Sequence, residues 1–526
     1  FSFSSVMSFL SSTDKNYSLI DVGCLTVLFM LGYAVWTYVF PEGYIPSGVD
    51  DSAHYFKVWF FSYSWHKYGI IPRWCNFWYM GYPILLFHGP LSYYTTLSLN
   101  VLFNISPAIA YKIVYLLCYL LLIGGSYFLV REFNGTPIQA SISGFAVLFA
   151  PAVLNNMVLY GRFPFAFSVG LILPAVISFM RLCKDGTSKI WLPLTVLFKS
   201  GVLLAHISSF MFMELLLISI ILVDIKAKET FLKNLKNFVL TSILSLVTCS
   251  WWISPFIKYY EFSHPEFAGG FASSITYAIE RHVWAPYVGV ALMMSIPVAA
   301  VSLFIRRRMI REMRLIIAIL VYIGILSVGW EISHFTGKMP QPSDIFILKI
   351  FRMFDRAYVI MSITLALLWG LIYPYLPEKI IQKPKIRAAV NLALVIVLFG
   401  ALVNDANILL FPSAFQFPEQ WRIIHKYSEG RALVWDYHDP LVPTVADIHG
   451  KGSGEVMIAS GWHPIAAVGE TLSLEYWLRG LANAKSNPES FRNVLEHAYV
   501  NLLVLNKDNV PAEYVNALVD LEWLNI

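Results

Sequence analysis

The stretch LIDVGCLTVLFMLGYAVWTYVF, residues 19–40, followed by PEGYIPSGVDDSAH, residues 41–54, decides the fold of this chain. Its first part is an apolar run long enough to cross a hydrocarbon core of about 30 Å as a helix. Its second part brings two adjacent carboxylates, Asp50 and Asp51, and then His54. Carboxylates are rare in so apolar a chain. This order therefore predicts a first membrane span that leads into a polar loop suited to chemistry at a membrane surface.

The composition of the whole chain agrees with a membrane protein. Hydrophobic residues make up 57%, charged residues only 13%, and the mean hydropathy is +0.61. Soluble domains carry about 25% charged residues. Apolar runs predict an all-α polytopic membrane bundle of about eleven transmembrane helices, at roughly 19–40, 109–130, 137–156, 163–181, 190–206, 207–223, 237–256, 287–305, 315–330, 357–375 and 388–405.

Loop charge predicts the orientation. With a cytoplasmic N-terminus, the inside loops 131–136, 181–189, 224–236, 306–314 and 378–387 hold 17 Lys or Arg against 6 Asp or Glu. The positive-inside rule weights such short loops most heavily. An odd number of helices then places the C-terminus outside. We expect a multi-pass protein of the plasma membrane.

The chain changes character after Asp405. Residues 406–526 are more polar, and short β-rich runs alternate with helical patterns. We therefore predict a transmembrane domain over 1–405 and a small α/β extracytoplasmic domain over 406–526. The last residues of the chain are still apolar, which suggests that this domain continues.

The first outer loop, residues 41–108, is too polar to cross the bilayer and rich in aromatic residues. Aromatic side chains spaced through amphipathic helices favour the membrane interface. We expect two helices that lie on the outer leaflet, with Trp74 and Tyr82 at headgroup depth. Four residues of this loop are candidates for binding substrate: Trp74, Tyr82, His88 and Tyr93.

The order of motifs in this loop resembles a known group of membrane enzymes. An Asp is followed by His54, by the Gly-x-x-Pro-x-Trp of residues 69–74, by the Gly-Tyr-Pro of residues 81–83, and by the Gly-Pro-Leu-x-Tyr of residues 89–93. This string resembles the GT-C superfamily of glycosyltransferases, which take sugars from polyprenyl-linked carriers. It is most similar to the membrane proteins labelled as related to 6-pyruvoyl-tetrahydropterin synthase. That label does not imply an activity.

The resemblance implies a catalytic carboxylate in the first outer loop. Asp51 fits that position best, because Asp51 to His54 carries the Asp-x-x-His part, with Asp50 as a second candidate and His54 beside them. Sugar transfer from a lipid phosphate needs a base for the acceptor hydroxyl, or a carboxylate that holds a divalent metal, Mg or Mn. The alternative for adjacent aspartates is a helix N-cap.

A phosphate also requires cations on the same face of the membrane. Arg352 and Arg356 stand four residues apart just before the tenth predicted span, so on a helix they share one face. Arg162, at another outer helix end, is a further candidate. A surface salt bridge with Asp355 is the competing interpretation for the first pair.

These observations predict a membrane glycosyltransferase. Its partners would be a polyprenyl-phosphate sugar donor, membrane lipids, and a glycan, lipid or protein acceptor. A transporter or lipid flippase is one alternative, although no pair of matching broken helices in two related halves is visible. A non-catalytic assembly protein with a transferase-like body is another. Nothing in the sequence indicates nucleic acid, because the basic charge lies mostly in short inside loops.

Overall fold

The computed structural model describes a large part of the chain, namely residues 17–42, 44–48, 50–75, 77, 83–185, 190–222, 224, 227–259, 289–295, 355–372, 383–407, 410, 412, 431–434, 457–458, 486–497, 500–504 and 512–521. Its elements are mostly helical. In chain order they are α1 Leu19–Val39, α2 Asp51–Tyr68, α3 Leu91–Phe103, α4 Pro107–Glu132, α5 Pro137–Leu148, α6 Pro151–Leu154, α7 Phe163–Asp185, α8 Trp191–Ala205, α9 Ile207–Leu222, α10 Lys228–Thr248, α11 Ser250–Lys258, α12 Val290–Met293, α13 Asp355–Ile372, α14 Pro384–Asn407, β1 Arg431–Val434, β2 Met457–Ile458, α15 Pro488–His497, β3 Val500–Val504 and α16 Ala512–Val519.

The chain forms two compact units. The first comprises Phe1–Gly43, Ile113–Cys249 and Phe271–Ser413, and the second comprises Tyr44–Lys112, Ser250–Gly270 and Ala414–Ile526. Most of the first outer loop and most of the tail thus belong to the same unit. The predicted division into domains at residue 405 remains a prediction.

The first unit contains the long apolar helices. Within the described part of the chain, α1, α4, α7 and α14 are each long and apolar enough to cross a membrane, and two bent helix pairs raise the number to as many as six. Shorter apolar helices are α8, α9 and α13. The prediction of a multi-pass helical membrane protein is therefore confirmed. The count of eleven stays a prediction, because the run at 315–330 lies outside the described residues.

One predicted span is bent for a clear local reason. The run 137–156 is divided into α5 and the helical segment Pro151–Leu159, and their axes differ by 43°. Pro151 starts α6, and the residue before it, Ala150, is extended with φ −67° and ψ 117°. A proline disfavours the helical conformation in the preceding residue, so the chain breaks there. After α6 the chain makes one π-helical turn, Asn155–Leu159.

Small residues allow the helices of the first unit to approach closely. A Cβ atom at Gly170 of α7 would lie 2.9 Å from the carbonyl oxygen of Cys118 in α4. A Cβ atom at Gly370 of α13 would lie 2.6 Å from the carbonyl oxygen of Gln139 in α5. Such contacts are a usual source of packing energy between helices in lipid, where no hydrophobic force drives helices together.

Ion pairs join three helices at one end of this unit. Arg131 of α4 contacts Asp21 of α1 at 2.8 Å. Glu132, the last residue of α4, pairs with Arg181 of α7 at 2.7 Å and with Lys184 at 3.0 Å. The basic partners come from the loops that the charge count assigns to the inside. The orientation itself remains a prediction.

The second unit contains the two helices of the first outer loop, α2 and α3, which pack against each other. In the described part of the tail, three short strands form a parallel sheet in the order β2, β1, β3. The helix α15 packs against β3. The described part of the tail thus contains both strands and helices, and the predicted small α/β domain remains a prediction.

Candidate functional site

Asp51 lies at the first turn of α2 and is completely buried. Its Oδ2 accepts the backbone N–H of Gly48 at 2.9 Å, which closes a tight turn before the helix. Its Oδ1 accepts the hydroxyl of Tyr111, near the start of α4, at 2.7 Å. Each carboxylate oxygen thus has a hydrogen-bond partner, so the side chain fixes the loop to Tyr111.

Asp50 has different surroundings, although it is the adjacent residue. It occupies the N-cap position of α2, and its side chain makes no capping hydrogen bond. It is half-buried. Asp50, His54 and Lys57 follow a spacing of four and then three residues, so they lie on one face of α2. Asp50 thus stands at the N-cap position that the alternative interpretation gives it, without a side-chain capping bond.

Tyr93 of α3 connects the two loop helices. Its hydroxyl lies 2.7 Å from Nδ1 of His54, and both side chains are buried. Burial raises the pKa of Tyr93 well above its usual value, and the charge of Asp50 adds to this effect. The tyrosine therefore stays protonated, and its hydroxyl shares a hydrogen bond with Nδ1 of His54 whose direction depends on the tautomer of the ring. The ring of His88 lies 6.4 Å from that of His54.

Lys57 is a buried basic residue that the sequence analysis did not single out. Its side chain is completely buried, and Nζ lies 3.4 Å from the carbonyl oxygen of Ala53. Burial lowers its pKa from 10.5 to about 7, and the charge of Asp50 opposes this effect. The term outer-loop cluster is used from here on for Asp50, Asp51, His54, Lys57 and Tyr93.

Aromatic packing holds the outer loop together. Trp59 stacks on Tyr63 and meets Phe77 edge to face, with ring centroids at 5.2 and 5.8 Å. Trp74 is half exposed, as expected for a side chain at an interface. Tyr82, the other predicted interfacial residue, lies outside the described residues.

The first unit holds another group of basic residues, Arg162, His206 and Arg356, called the arginine cluster. Arg356 donates from Nη1 to Nε2 of His206 at 2.8 Å, and its guanidinium lies over the ring of Phe165. Arg162 is buried and donates to the side-chain oxygen of Asn156 at 2.9 Å. Both arginines act electrostatically on His206. Arg352, the predicted companion of Arg356, lies outside the described residues.

The structure also reveals the partner of Glu214, which the sequence did not predict. Lys199 of α8 pairs with Glu214 of α9 at 2.9 Å and donates to Ser242 of α10 at 2.8 Å. Lys199 stands seven residues before His206 and Glu214 eight residues after it. This near-symmetry about a helix break is the signal that could have identified the pair, because the arms of a hairpin bring such positions together.

The described part of the chain contains no complete set of protein ligands for the predicted divalent metal. No group of three or more His, Cys, Asp or Glu side chains there could hold an ion. Both oxygens of Asp51 already accept hydrogen bonds. Asp50 remains the carboxylate of the pair that could contribute to such a site.

Comparison with known proteins identifies the family. The family described as "6-pyruvoyl-tetrahydropterin synthase related domain; membrane protein" matches residues 85–410, more than half of the chain. The chain belongs to this family, as the motifs of the outer loop predict. No curated protein matches the sequence.

Several solved structures share the fold of this chain. The apo oligosaccharyltransferase of Archaeoglobus fulgidus matches with a TM-score of 0.57 at 11% identity, covering 95% of this chain and 71% of that one. ArnT from Cupriavidus metallidurans in the apo state matches with a TM-score of 0.54 at 14% identity, covering 89% and 92%. The arabinofuranosyltransferase AftD from Mycobacteria matches with a TM-score of 0.51 at 14% identity, covering 78% and 29%.

Two further structures of the Archaeoglobus fulgidus oligosaccharyltransferase match in the same way. One is a complex with Zn and sulfate, with a TM-score of 0.58 at 13% identity, covering 94% of this chain and 69% of that one. The other contains an inhibitory peptide and a dolichol-phosphate, with a TM-score of 0.56 at 11% identity, covering 92% and 69%. At such low identity, these similarities show the fold alone.

Proposed function

We propose that this protein is a membrane glycosyltransferase that moves a sugar from a polyprenyl-phosphate-linked donor to an acceptor on the outer face of the plasma membrane. The observation that carries the proposal is the outer-loop cluster, a carboxylate, a histidine and a lysine on one helical face, in a chain with a GT-C fold. The oligosaccharyltransferase of similar fold has been captured with a dolichol-phosphate, which supports a lipid-linked donor.

The proposed reaction needs one proton acceptor. The acceptor substrate loses its hydroxyl proton to a carboxylate, and its oxygen forms a new bond to the anomeric carbon of the sugar. The bond between that carbon and the phosphate oxygen breaks, and the lipid phosphate leaves with the electron pair. General-base assistance of this kind contributes about 10²–10⁴-fold to a rate.

The geometry favours Asp50 for the proton acceptor and Asp51 for its support. The sequence prediction assigned the chemistry first to Asp51. Asp51 is completely buried, however, and both of its oxygens already accept hydrogen bonds. Asp50 is half-buried beside it, and its charge reaches Tyr93 and Lys57. We assign His54, fixed by Tyr93, to the exchange of protons with this carboxylate.

The arginine cluster suits the phosphate of the donor. Two guanidinium groups near one half-buried histidine create a positive site, and arginine forks match phosphate oxygens. We assign Arg356 and Arg162 to this role, and Arg352 by sequence alone. Trp74, Tyr82, His88 and Tyr93 remain our candidates for contacts of the outer loop with donor or acceptor.

A divalent metal, Mg or Mn, would polarise the leaving phosphate when bound. Such ions often bind through one or two carboxylates together with substrate phosphates. Asp50 is the residue that would contribute from this chain. We propose a glycan, a lipid or a protein as the acceptor, and the transfer assay identifies which of them receives the sugar.

The test measures sugar transfer in membranes that contain each variant at equal protein level, from a radiolabelled pool of polyprenyl-phosphate sugars. We expect Asp50→Asn to lower transfer by about 10²-fold or more, the loss of a general base, because the amide keeps the shape of the side chain without its basicity. Lys67→Met, an exposed change on the same helix, serves as the control. Wild-type transfer by Asp50→Asn would exclude it as the base, and no transfer by the wild-type protein from any such pool would favour the assembly-protein alternative.

A further inference from the structure

His206 occupies the turn of a helical hairpin. The helix α8 ends at Ala205 and α9 begins at Ile207, and His206 between them is extended, with φ −160° and ψ 116°. The Lys199–Glu214 pair joins the two arms, about 10–12 Å from the turn at 1.5 Å per residue. The hairpin therefore presents one imidazole ring at its tip.

Hydrogen bonding determines the state of that ring. A guanidinium group has donors but no acceptor, so the contact of 2.8 Å between Arg356 Nη1 and His206 Nε2 requires Nε2 to accept. A neutral ring with an accepting Nε2 carries its proton on Nδ1. That nitrogen lies 3.0 Å from Oγ of Ser208 and 3.2 Å from Oγ of Ser209, and either hydroxyl oxygen can accept its proton. The backbone nitrogen of Ser209 is farther away, at 3.4 Å, so the shorter hydroxyl contacts favour this tautomer.

The surroundings of the ring are arranged to hold it. Ser168 of α7 donates to Oγ of Ser209 at 2.6 Å, which connects the hairpin to a neighbouring helix. The ring of Phe165 meets His206 edge to face at 5.3 Å and lies 5.6 Å from the guanidinium of Arg356. The imidazole is thus fixed from both sides, and Arg356 receives a fixed acceptor at its Nη1.

We propose that His206 is a positioning residue, which holds the guanidinium of Arg356 in the orientation that binds the lipid phosphate. The proposal rests on the phosphate role given to Arg356 above. A long arginine side chain loses conformational freedom when it binds an anion, and a fixed acceptor reduces that loss in advance. His206 thus provides a hydrogen-bond acceptor at the tip of the hairpin formed by α8 and α9, and Arg356 of α13 donates to it.

The experiment compares two polar replacements that differ in reach. In His206→Gln the side-chain oxygen can reach the position of Nε2 and accept from Arg356. In His206→Asn the amide reaches only the position of Nδ1, so it keeps the serine contacts and loses Arg356. Each variant is made in the full chain, alone and together with Arg356→Ala, and is purified in detergent.

The probe is a polyprenyl monophosphate, titrated with native mass spectrometry as the readout, with the matching uncharged polyprenol and inorganic phosphate as separate arms. We expect His206→Asn to weaken binding of the lipid phosphate by about tenfold, the size of one hydrogen bond to a charged group, and His206→Gln to stay within about threefold of wild type. The double variant His206→Asn with Arg356→Ala should bind no more weakly than Arg356→Ala alone.

The outcomes separate this inference from the proposed function. Additive losses in the double variant would overturn the positioning role, because His206 would then act by packing. Equal weakening by Gln and Asn would overturn it as well. If Arg356→Ala leaves binding of the lipid phosphate unchanged, the phosphate role itself fails, and the inference fails with it. Equal effects of the substitutions on binding of the uncharged polyprenol would show that the cluster contacts the lipid chain and not the phosphate. If the substitutions weaken binding of inorganic phosphate to the same extent, the site is assigned to free phosphate.

Discussion

The outer-loop cluster and the arginine cluster gather their charges in different ways. The first brings both signs together on one helix, where Asp50, His54 and Lys57 share a face within eight residues. The second collects two cations from segments far apart in the chain around a single histidine turn. A group that must exchange a proton needs neighbours that adjust its basicity. A group that must hold an anion needs converging donors. The two arrangements match the two requirements of the proposed reaction.

This contrast predicts different kinetic signatures. Arg356→Ala should raise the KM for the lipid-linked donor by about 10–100-fold, the value of hydrogen bonds to a charged group, and should leave kcat at saturating donor nearly unchanged. Substitution of Asp50 should lower kcat instead. Initial rates over a range of donor concentrations distinguish the two effects. Arg492→Ala, at a half-exposed pair in the tail, is the control for loss of an arginine. A fall in kcat alone with Arg356→Ala would contradict the division of roles.

The two clusters also differ in how far the sequence could predict them. The adjacent aspartates and His54 lie within one short string, and the apolar runs correctly predicted helices such as α1 and α14. The difference between Asp50 and Asp51 was harder to predict from the sequence, because Asp51 accepts a hydrogen bond from Tyr111, 60 residues later. The contact of His206 with Arg356 joins residues 150 positions apart. Periodicity describes one element at a time, so contacts of this kind appear only when helices pack.

The two aspartates of the outer-loop cluster should differ in how much they contribute to the thermal stability of the protein. An asparagine at position 51 would present one acceptor oxygen where two donors now point, so the hydroxyl of Tyr111 or the amide of Gly48 loses its partner. An unsatisfied buried donor costs about 1–3 kcal/mol. We therefore expect Asp51→Asn to lower the thermal stability of the purified protein, measured by unfolding in detergent, with a similar effect of Tyr111→Phe. Asp50→Asn is the comparison variant and should lower the unfolding temperature less, because Asp50 is only half-buried. Equal destabilisation by the two Asn variants would remove the distinction between support and chemistry.

Lys57 should make the stability of the folded protein depend on pH. The exposed lysine of the same helix, Lys67, should contribute no such dependence. Its pKa is about 7 in the folded protein and 10.5 in its ordinary state, so between these values the unfolded chain holds a proton that the folded chain does not. Stability should then rise as the pH increases from about 7 towards 9, by at most about 1.4 kcal/mol per pH unit. Lys57→Met removes the titrating group and should flatten this rise, whereas Lys67→Met, on the exposed part of α2, should leave it intact. Thermal unfolding of the three proteins at several pH values measures the slopes. An unchanged slope in Lys57→Met would show that the lysine does not lose its proton on folding.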